Sequence, residues 1–213
     1  MHIVLFGATG HSGSRILTEL LSRGHQVTAI TRDPAKLSPQ PNLTIKQGDA
    51  DSVAAIAANI KGADAVVSAY APPADNTDQI LPVTQYFIEA IKQVGTSGKA
   101  PRFLYVGGAA SLEVAPGVTL LDSGHLPAAW QAIAKSHSDA LALIKKSDIN
   151  WTSFSPAAFF EPGQRTGKFR LGKDQLITDA QGNSKISMED YAIALVDELE
   201  KPQHERQRFT IGY

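Results

Sequence analysis

Glycines at positions 7, 10 and 13 stand directly after the apolar run Ile3-Val4-Leu5-Phe6. They stand directly before a stretch with Ile16, Leu17, Leu20 and Leu21 at helical spacing. Between the glycines lie Ala8, Thr9, His11 and Ser12. A strand, a glycine turn and a helix in that order form a receptacle for the pyrophosphate of a dinucleotide. Gly7 permits the tight turn, Gly10 lets the backbone approach the phosphates, and Gly13 lets helix and strand pack closely. The helix start offers unpaired N–H groups to the anion. Residues 7–13 are therefore the first candidates for cofactor binding.

Which dinucleotide is preferred depends on the residue some 20 positions further on, where an acid takes the ribose hydroxyls when NAD is bound. Here the second apolar run ends Ala29-Ile30-Thr31-Arg32, and Arg32 occupies that place. A guanidinium pairs with a 2′-phosphate, so NADPH is expected in preference to NADH. Lys36 either adds a second charge or is simply solvated. After the third run come Gly48 and Asp49. Asp49 can meet the adenine amino edge, or it can cap the helix that begins near Asp51. Small residues in Ser68-Ala69-Tyr70-Ala71 let the backbone approach the adenine ribose, which adds Ala69 and Tyr70. Gly107 follows the fifth run. Pro156-Ala157-Ala158-Phe159-Phe160 follows the sixth, in a loop expected to face the nicotinamide. Its two phenylalanines shield the nicotinamide and stack on a planar substrate, or they belong to the core.

These residues need a frame, and the pattern along the chain supplies one. Strands are expected at 2–6, 26–31, 43–47, 64–70, 102–106 and 150–155. Helices are expected at 11–23, 51–60, 77–94 and 127–147, and the turn at 33–36 replaces one helix. Continuous apolar strands such as Phe103-Leu104-Tyr105-Val106 fit burial on both faces of a parallel sheet. The alternation predicts an α/β fold, a doubly wound parallel sheet of Rossmann type with right-handed crossovers. After residue 155, prolines and glycines break the rhythm. Short strands are plausible near 168–171 and 175–178. Ser187 is a good N-cap for a helix whose apolar face is Tyr191, Ala194, Leu195 and Leu199, and residues 208–211 read as a final strand. Residues 155–213 are expected to form a small substrate-side cap within a single domain spanning 1–213. Residues 112–126 form a lid or ordered packing.

The G-x-x-G-x-x-G spacing resembles that of the short-chain dehydrogenases. Most of these use a Tyr-x-x-x-Lys pair, in which the tyrosine gives a proton to a carbonyl oxygen while the lysine lowers its pKa and holds the ribose. Four residues after Tyr70, Tyr86, Tyr105 and Tyr191 come Ala74, Ala90, Ala109 and Leu195. Where the pair should lie, Lys135 is present as a candidate for the ribose, but Gln131 holds the tyrosine's place and cannot act as an acid. Ser111 is near the position of the family's catalytic serine. It hydrogen-bonds an acceptor, or it caps a loop. His137 is expected on a different helix face, at the surface. Glu161, Arg165 and Lys168 line the cap or form a solvated cluster. Reduction of an ordinary ketone makes a localised alkoxide that needs a proton at once. Hydride transfer to a flavin or quinone makes a delocalised anion that water can protonate, so a site without the tyrosine suits the second acceptor.

The chain further resembles the atypical short-chain dehydrogenases grouped as NAD(P)H-flavin reductases, which are related to biliverdin reductase B and to NmrA-like sensors. The matching pieces span nearly the whole chain. They include Gly7 to Gly13, Arg23-Gly24-His25-Gln26-Val27-Thr28-Ala29, Gly107-Gly108-Ala109-Ala110-Ser111-Leu112, the specific run Pro156-Ala157-Ala158-Phe159-Phe160-Glu161-Pro162-Gly163, and Ile186 to Ala192. The resemblance implies hydride delivery from a reduced nicotinamide to a flavin-like or quinone-like acceptor, with flavin as substrate and not as prosthetic group. It carries cofactor roles onto Gly7, Gly10, Gly13, Arg32 and Asp49. The alternative it leaves open is a non-catalytic NADP(H) sensor.

Composition narrows the partners. The 213 residues carry 20 basic and 21 acidic side chains, net −1, so neither a nucleic-acid footprint nor a polybasic membrane patch is expected. The chain has no cysteine, which removes disulfides, thiolate metal sites and a cysteine nucleophile. Its six histidines are scattered, with no pair at zinc spacing, so no metal is expected. No apolar run is long enough to span a bilayer, and the N-terminus lacks the pattern of a signal peptide. A cytoplasmic monomer or homodimer acting on a small planar molecule is the expectation.

Overall fold

The computed structural model describes all 213 residues. The first half alternates strand and helix, with β1 (His2–Phe6), α1 (His11–Ser22), β2 (Gln26–Thr31), β3 (Leu43–Gln47) and α2 (Val53–Ile60). It continues with β4 (Ala65–Ser68), α3 (Ile80–Gly95) and β5 (Arg102–Val106). A hairpin of β6 (Glu113–Ala115) and β7 (Val118–Thr119) then precedes α4 (Ala128–Lys146) and β8 (Trp151–Ser155). The last third contributes β9 (Phe159–Glu161), β10 (Arg170–Gly172), β11 (Lys185–Ser187), α5 (Met188–Glu200) and β12 (Gln207–Gly212).

Eight strands form one sheet in the order β10-β12-β8-β5-β4-β1-β2-β3. All pairings are parallel except that of β10 with β12. The strand order reverses between β1 and β4, the switch point at which ligands bind in doubly wound sheets. Strands β4, β5 and β8 are buried along their whole length. β3, at the sheet edge, alternates with exposed residues, as an edge strand should.

Successive side chains of each strand point to opposite faces, and each face has its own apolar layer. On one face Leu5, Val67, Leu104 and Phe154 meet Ile16 and Leu20 of α1 and Leu195 and Leu199 of α5. On the other, Val4, Val66, Phe103 and Trp151 meet Ile56 of α2, Phe87 and Ile91 of α3 and Ile144 of α4. Stacked rings tie the last third to the first layer. Phe154 lies between Tyr191, at 4.1 Å between centroids, and Phe209, at 4.0 Å. β12, β10 and α5 thus complete the sheet and its cover, and the remainder of the segment, with the β9–β11 ribbon, is the small appendage.

Several boundaries differ from expectation for local reasons. The strand expected over 64–70 spans Ala65–Ser68, with the Ala69 N–H still donating to the Phe6 carbonyl at 3.0 Å. The helix expected from 77 begins with a 3₁₀ turn, Thr77–Gln79, and becomes regular at Ile80. No strand forms over 175–178. The Leu176 N–H instead donates to the Glu113 carbonyl at 2.8 Å, and the Glu113 N–H donates to Asp174 at 2.8 Å. Gln175 therefore makes a single bridge to the hairpin, and the second short strand is β11. Ser187 caps α5 as expected, accepting from the Asp190 N–H at 3.0 Å.

Candidate functional site

Because β1, β2, β3, β4, β5 and β8 run parallel, their C-terminal ends open on the same edge of the sheet. Gly7, Arg32, Gly48–Asp49, Ala69–Tyr70, Gly107 and Pro156 all leave the sheet there. At the first exit Gly7 takes φ +83°, a conformation that L side chains rarely adopt. A Cβ on Gly7 would stand 2.3 Å from the Ala69 carbonyl oxygen, and one on Gly13 would stand 2.0 Å from the Gly7 oxygen. Both positions must be glycine for the turn to lie flat between β4 and α1. Gly10 starts α1 with no side-chain cap. The first-turn N–H groups are therefore left for a ligand, with the positive end of the helix dipole behind them.

This turn forms the wall of a cleft of about 190 Å³. Gly7, Thr9 and Gly10 line one side, Arg32 and Lys36 the rim, and Asp49, Ala69 and Tyr70 the other side. A neighbouring cleft of about 430 Å³ shares Arg32, Asp49 and Tyr70 and extends over Pro72, Pro82 and Tyr86. No carboxylate lies within 4.0 Å of the Arg32 guanidinium. The adjacent Asp33 is engaged elsewhere, accepting from the Ala35 N–H at 3.1 Å. Asp49 does not cap α2. Ser52 does so, accepting from the Ala55 N–H at 3.3 Å, while Asp49 accepts only from Ala50 beside it, at 2.8 Å. Burial, then the Asp49 carboxylate, pushes the Tyr70 hydroxyl up, against the opposing pull of Arg32. A glycine cradle, an uncapped helix start and a cation without an ion pair at the rim fit a phosphorylated adenine nucleotide.

The remaining candidates lie elsewhere. Ala8 is wholly buried and packs the turn from beneath. His11 is exposed and Ser12 partly so, on the first turn of α1. Gly107 donates its N–H to the Phe154 carbonyl at 2.9 Å, which joins the exits of β5 and β8, and Pro156 is buried beside them. The Ser111 hydroxyl accepts from Arg208 at 3.1 Å, and Arg208 is itself paired with Asp174. Ser111 is thereby tied to β12, with its proton free to donate. Lys135 points to solvent and pairs with Asp139 at 2.5 Å, which raises its pKa. Gln131 is exposed and donates to the Leu126 carbonyl at 3.3 Å. Phe160 packs on Tyr191, with centroids 4.7 Å apart, whereas Phe159 is 53% exposed. The segment 112–126 carries the β6–β7 hairpin, and its Leu121 N–H donates to the Ala110 carbonyl at 2.9 Å.

His137 corrects an expectation. It is half-buried and tied to the core. Its imidazole lies 2.9 Å, Nδ1 to Oη, from the buried Tyr105, beside Gly108 at the exit of β5. The signal was available, since residue 137 precedes the buried Ala140, Leu141 and Ile144 by three, four and seven positions, the spacing of one helix face.

Comparison with known proteins places this geometry. The family described as NAD(P)H-binding matches residues 7–202. A Burkholderia pseudomallei protein provisionally described as exported is 45% identical, with a TM-score of 0.88 and 100% of both chains covered. A Bacteroides thetaiotaomicron protein provisionally named an epimerase is 46% identical, with a TM-score of 0.91, over 100% of this chain and 96% of that one. A Streptococcus pneumoniae TIGR4 protein provisionally named an NADH-flavin reductase is 33% identical, with a TM-score of 0.88, over 100% and 99%.

Proposed function

The chain belongs to the NAD(P)H-binding Rossmann family, and we propose that within it the protein is an NADPH-dependent reductase of flavins, quinones or similar planar acceptors. The observation that carries this is Arg32, which makes no ion pair, at the rim of the glycine cleft. That charge suits the 2′-phosphate of NADPH, with Lys36 as a second cation on the same rim. Residues 7–13 hold the pyrophosphate, and Asp49, Ala69 and Tyr70 hold the adenosine. β5 lies three strand spacings, about 14 Å, from β2, so an extended dinucleotide anchored at Arg32 brings its other end to Gly107 and Pro156. When bound there, the reduced nicotinamide supplies a hydride. The protein's part is to orient the acceptor and exclude water.

The sequence carries no Tyr-x-x-x-Lys pair, which favours acceptors whose anion is delocalised and takes its proton from water. The epimerase name of one relative is less apt here, because that chemistry needs a group that moves a proton, and Gln131 cannot. A monomer or homodimer acting on a small planar molecule is part of the same proposal. No helix is long and apolar enough to cross a membrane. We place the protein in the cytoplasm, where the cofactor is plentiful and a chain without cysteine needs no oxidising compartment.

Steady-state NADPH oxidation with FMN, FAD, riboflavin and a quinone panel tests the reading. Turnover with at least one planar acceptor is expected. Tight NADPH binding with no turnover on any of them would contradict the enzyme and identify a sensor instead.

A further inference from the structure

We propose that His137 is the hydrogen-bond donor at the hydride-transfer end of the groove. Its Nε2–H, fixed by Tyr105, points to the carbonyl oxygen or ring nitrogen of the acceptor that gains negative charge. The inference rests on the reductase reading above and names a residue for it.

Position comes first. Gly108 lies just past the end of β5, on the same edge as the glycine turn. A Cβ there would stand 3.2 Å from His137 Cβ and 3.4 Å from its Cγ. The imidazole thus covers the exit of β5, where the strand order puts the far end of a bound dinucleotide.

Orientation follows from Tyr105. Its side chain is buried at the centre of the second apolar layer, and burial pushes its hydroxyl well above the usual tyrosine range. The phenol therefore keeps its proton, and in the proposed arrangement it donates that proton to Nδ1, which lies 2.9 Å away. An imidazole that accepts at Nδ1 carries its own hydrogen on Nε2. Nε2 has no protein partner, yet it is absent from the buried atoms that lack one, so it reaches open space. Burial also lowers His137 to about 4, which leaves the ring neutral at physiological pH.

A neutral imidazole donates without being consumed. The acceptor takes a hydride from the reduced nicotinamide, which is left oxidised, and a proton from water. His137 contributes one hydrogen bond to the charge that forms between those events and returns unchanged. Fixed donors aimed at developing charge act in this way. Tyr105 is a positioning residue, since it acts only through the ring.

The test uses the full chain labelled with ¹⁵N-histidine, together with His137→Phe and Tyr105→Phe. In the unmodified protein one imidazole should appear as the neutral Nε2–H tautomer. Its signal should vanish in His137→Phe and move when NADP⁺ and a naphthoquinone are added. His137→Phe should lower kcat for quinone reduction about 100-fold while the NADPH dissociation constant stays within about twofold. Tyr105→Phe keeps the imidazole, so it should fold even if the first variant does not. It should convert the signal to a tautomer mixture and lower kcat less. An Nδ1–H tautomer, a signal unmoved by both ligands, or unchanged kcat in His137→Phe would overturn the inference. Absence of turnover in the unmodified protein would sink the reductase reading. The ring signal would still report whether His137 faces the bound nucleotide, and an unmoved one would overturn its placement.

Discussion

Arg32 stands at the rim of the cleft without an ion-pair partner, and the adjacent Asp33 turns its side chain to the Ala35 N–H. Its charge is then free for a dianion, and such charge-assisted bonds contribute about 1.5–3 kcal/mol. Arg32→Glu should weaken NADPH binding about 10- to 100-fold and spare or improve NADH, read from the two dissociation constants. An unchanged preference would place the 2′-phosphate elsewhere. The positions of Arg32 and Asp49 were legible in the sequence because each lies within two residues of a strand end, and a strand end fixes where the next residues must stand. His137 was not, because its environment depends on Tyr105 and Gly108, far away in the chain and brought close only by α4 packing on β5. Lys135 shows the converse. Its spacing from Gln131 suggested a ribose contact, yet it faces solvent and pairs within its own helix.

The decisive element is the turn from β1 to α1. Its geometry depends on the absence of two side chains more than on any contact. Gly13→Ala would drive a methyl group to 2.0 Å from the Gly7 oxygen, a backbone atom that cannot swing aside. The variant should separate α1 from β1, abolish saturable NADPH binding and lower stability by more than about 2 kcal/mol, an overpacking cost. Denaturant midpoints and a nucleotide titration check both effects. Gly24→Ala, at a positive φ with open space around it, serves as the control and should leave binding intact. The central strands were readable because runs such as Phe103-Leu104-Tyr105-Val106 are continuously apolar, and a parallel, two-sided sheet buries such runs. The region after residue 155 was less so. Its short strands pair with partners distant in sequence, β10 with β12 and β11 with β9, and three-residue strands carry too little periodicity to announce themselves.

At the scale of the whole molecule, the buried carboxylates Glu198 and Glu19 join the last third to the rest, and Asp190 ties the last third together. Burial alone would raise Glu198, but hydrogen bonds from Arg102 and His204 hold it below the usual carboxylate range. Asp190 is likewise held low against burial by Thr166, Gly167 and Tyr213, and Glu19 by Arg165 and Arg23. A carboxyl lowered in the folded state stabilises the protein above its unfolded pKa, and that contribution is lost as pH falls through the folded value. Thermal stability should therefore hold from neutrality to about pH 5 and decline below it. A melting temperature unchanged down to pH 3 would contradict this. Glu198→Gln leaves the Arg102 guanidinium buried without its counter-charge and should cost about 3 kcal/mol at neutral pH. Denaturant unfolding reads that loss, and NADPH affinity should not follow it, since Glu198 pairs at the opposite end of β5 from the cleft.

The central claim is that the first strand–helix junction holds a phosphorylated nicotinamide dinucleotide. Titration of the full chain with NADPH and with NADH, followed by nicotinamide fluorescence, tests it most directly. Saturable binding of one equivalent of NADPH, tighter than NADH, is the expected result. No saturable binding of either nucleotide would contradict the account.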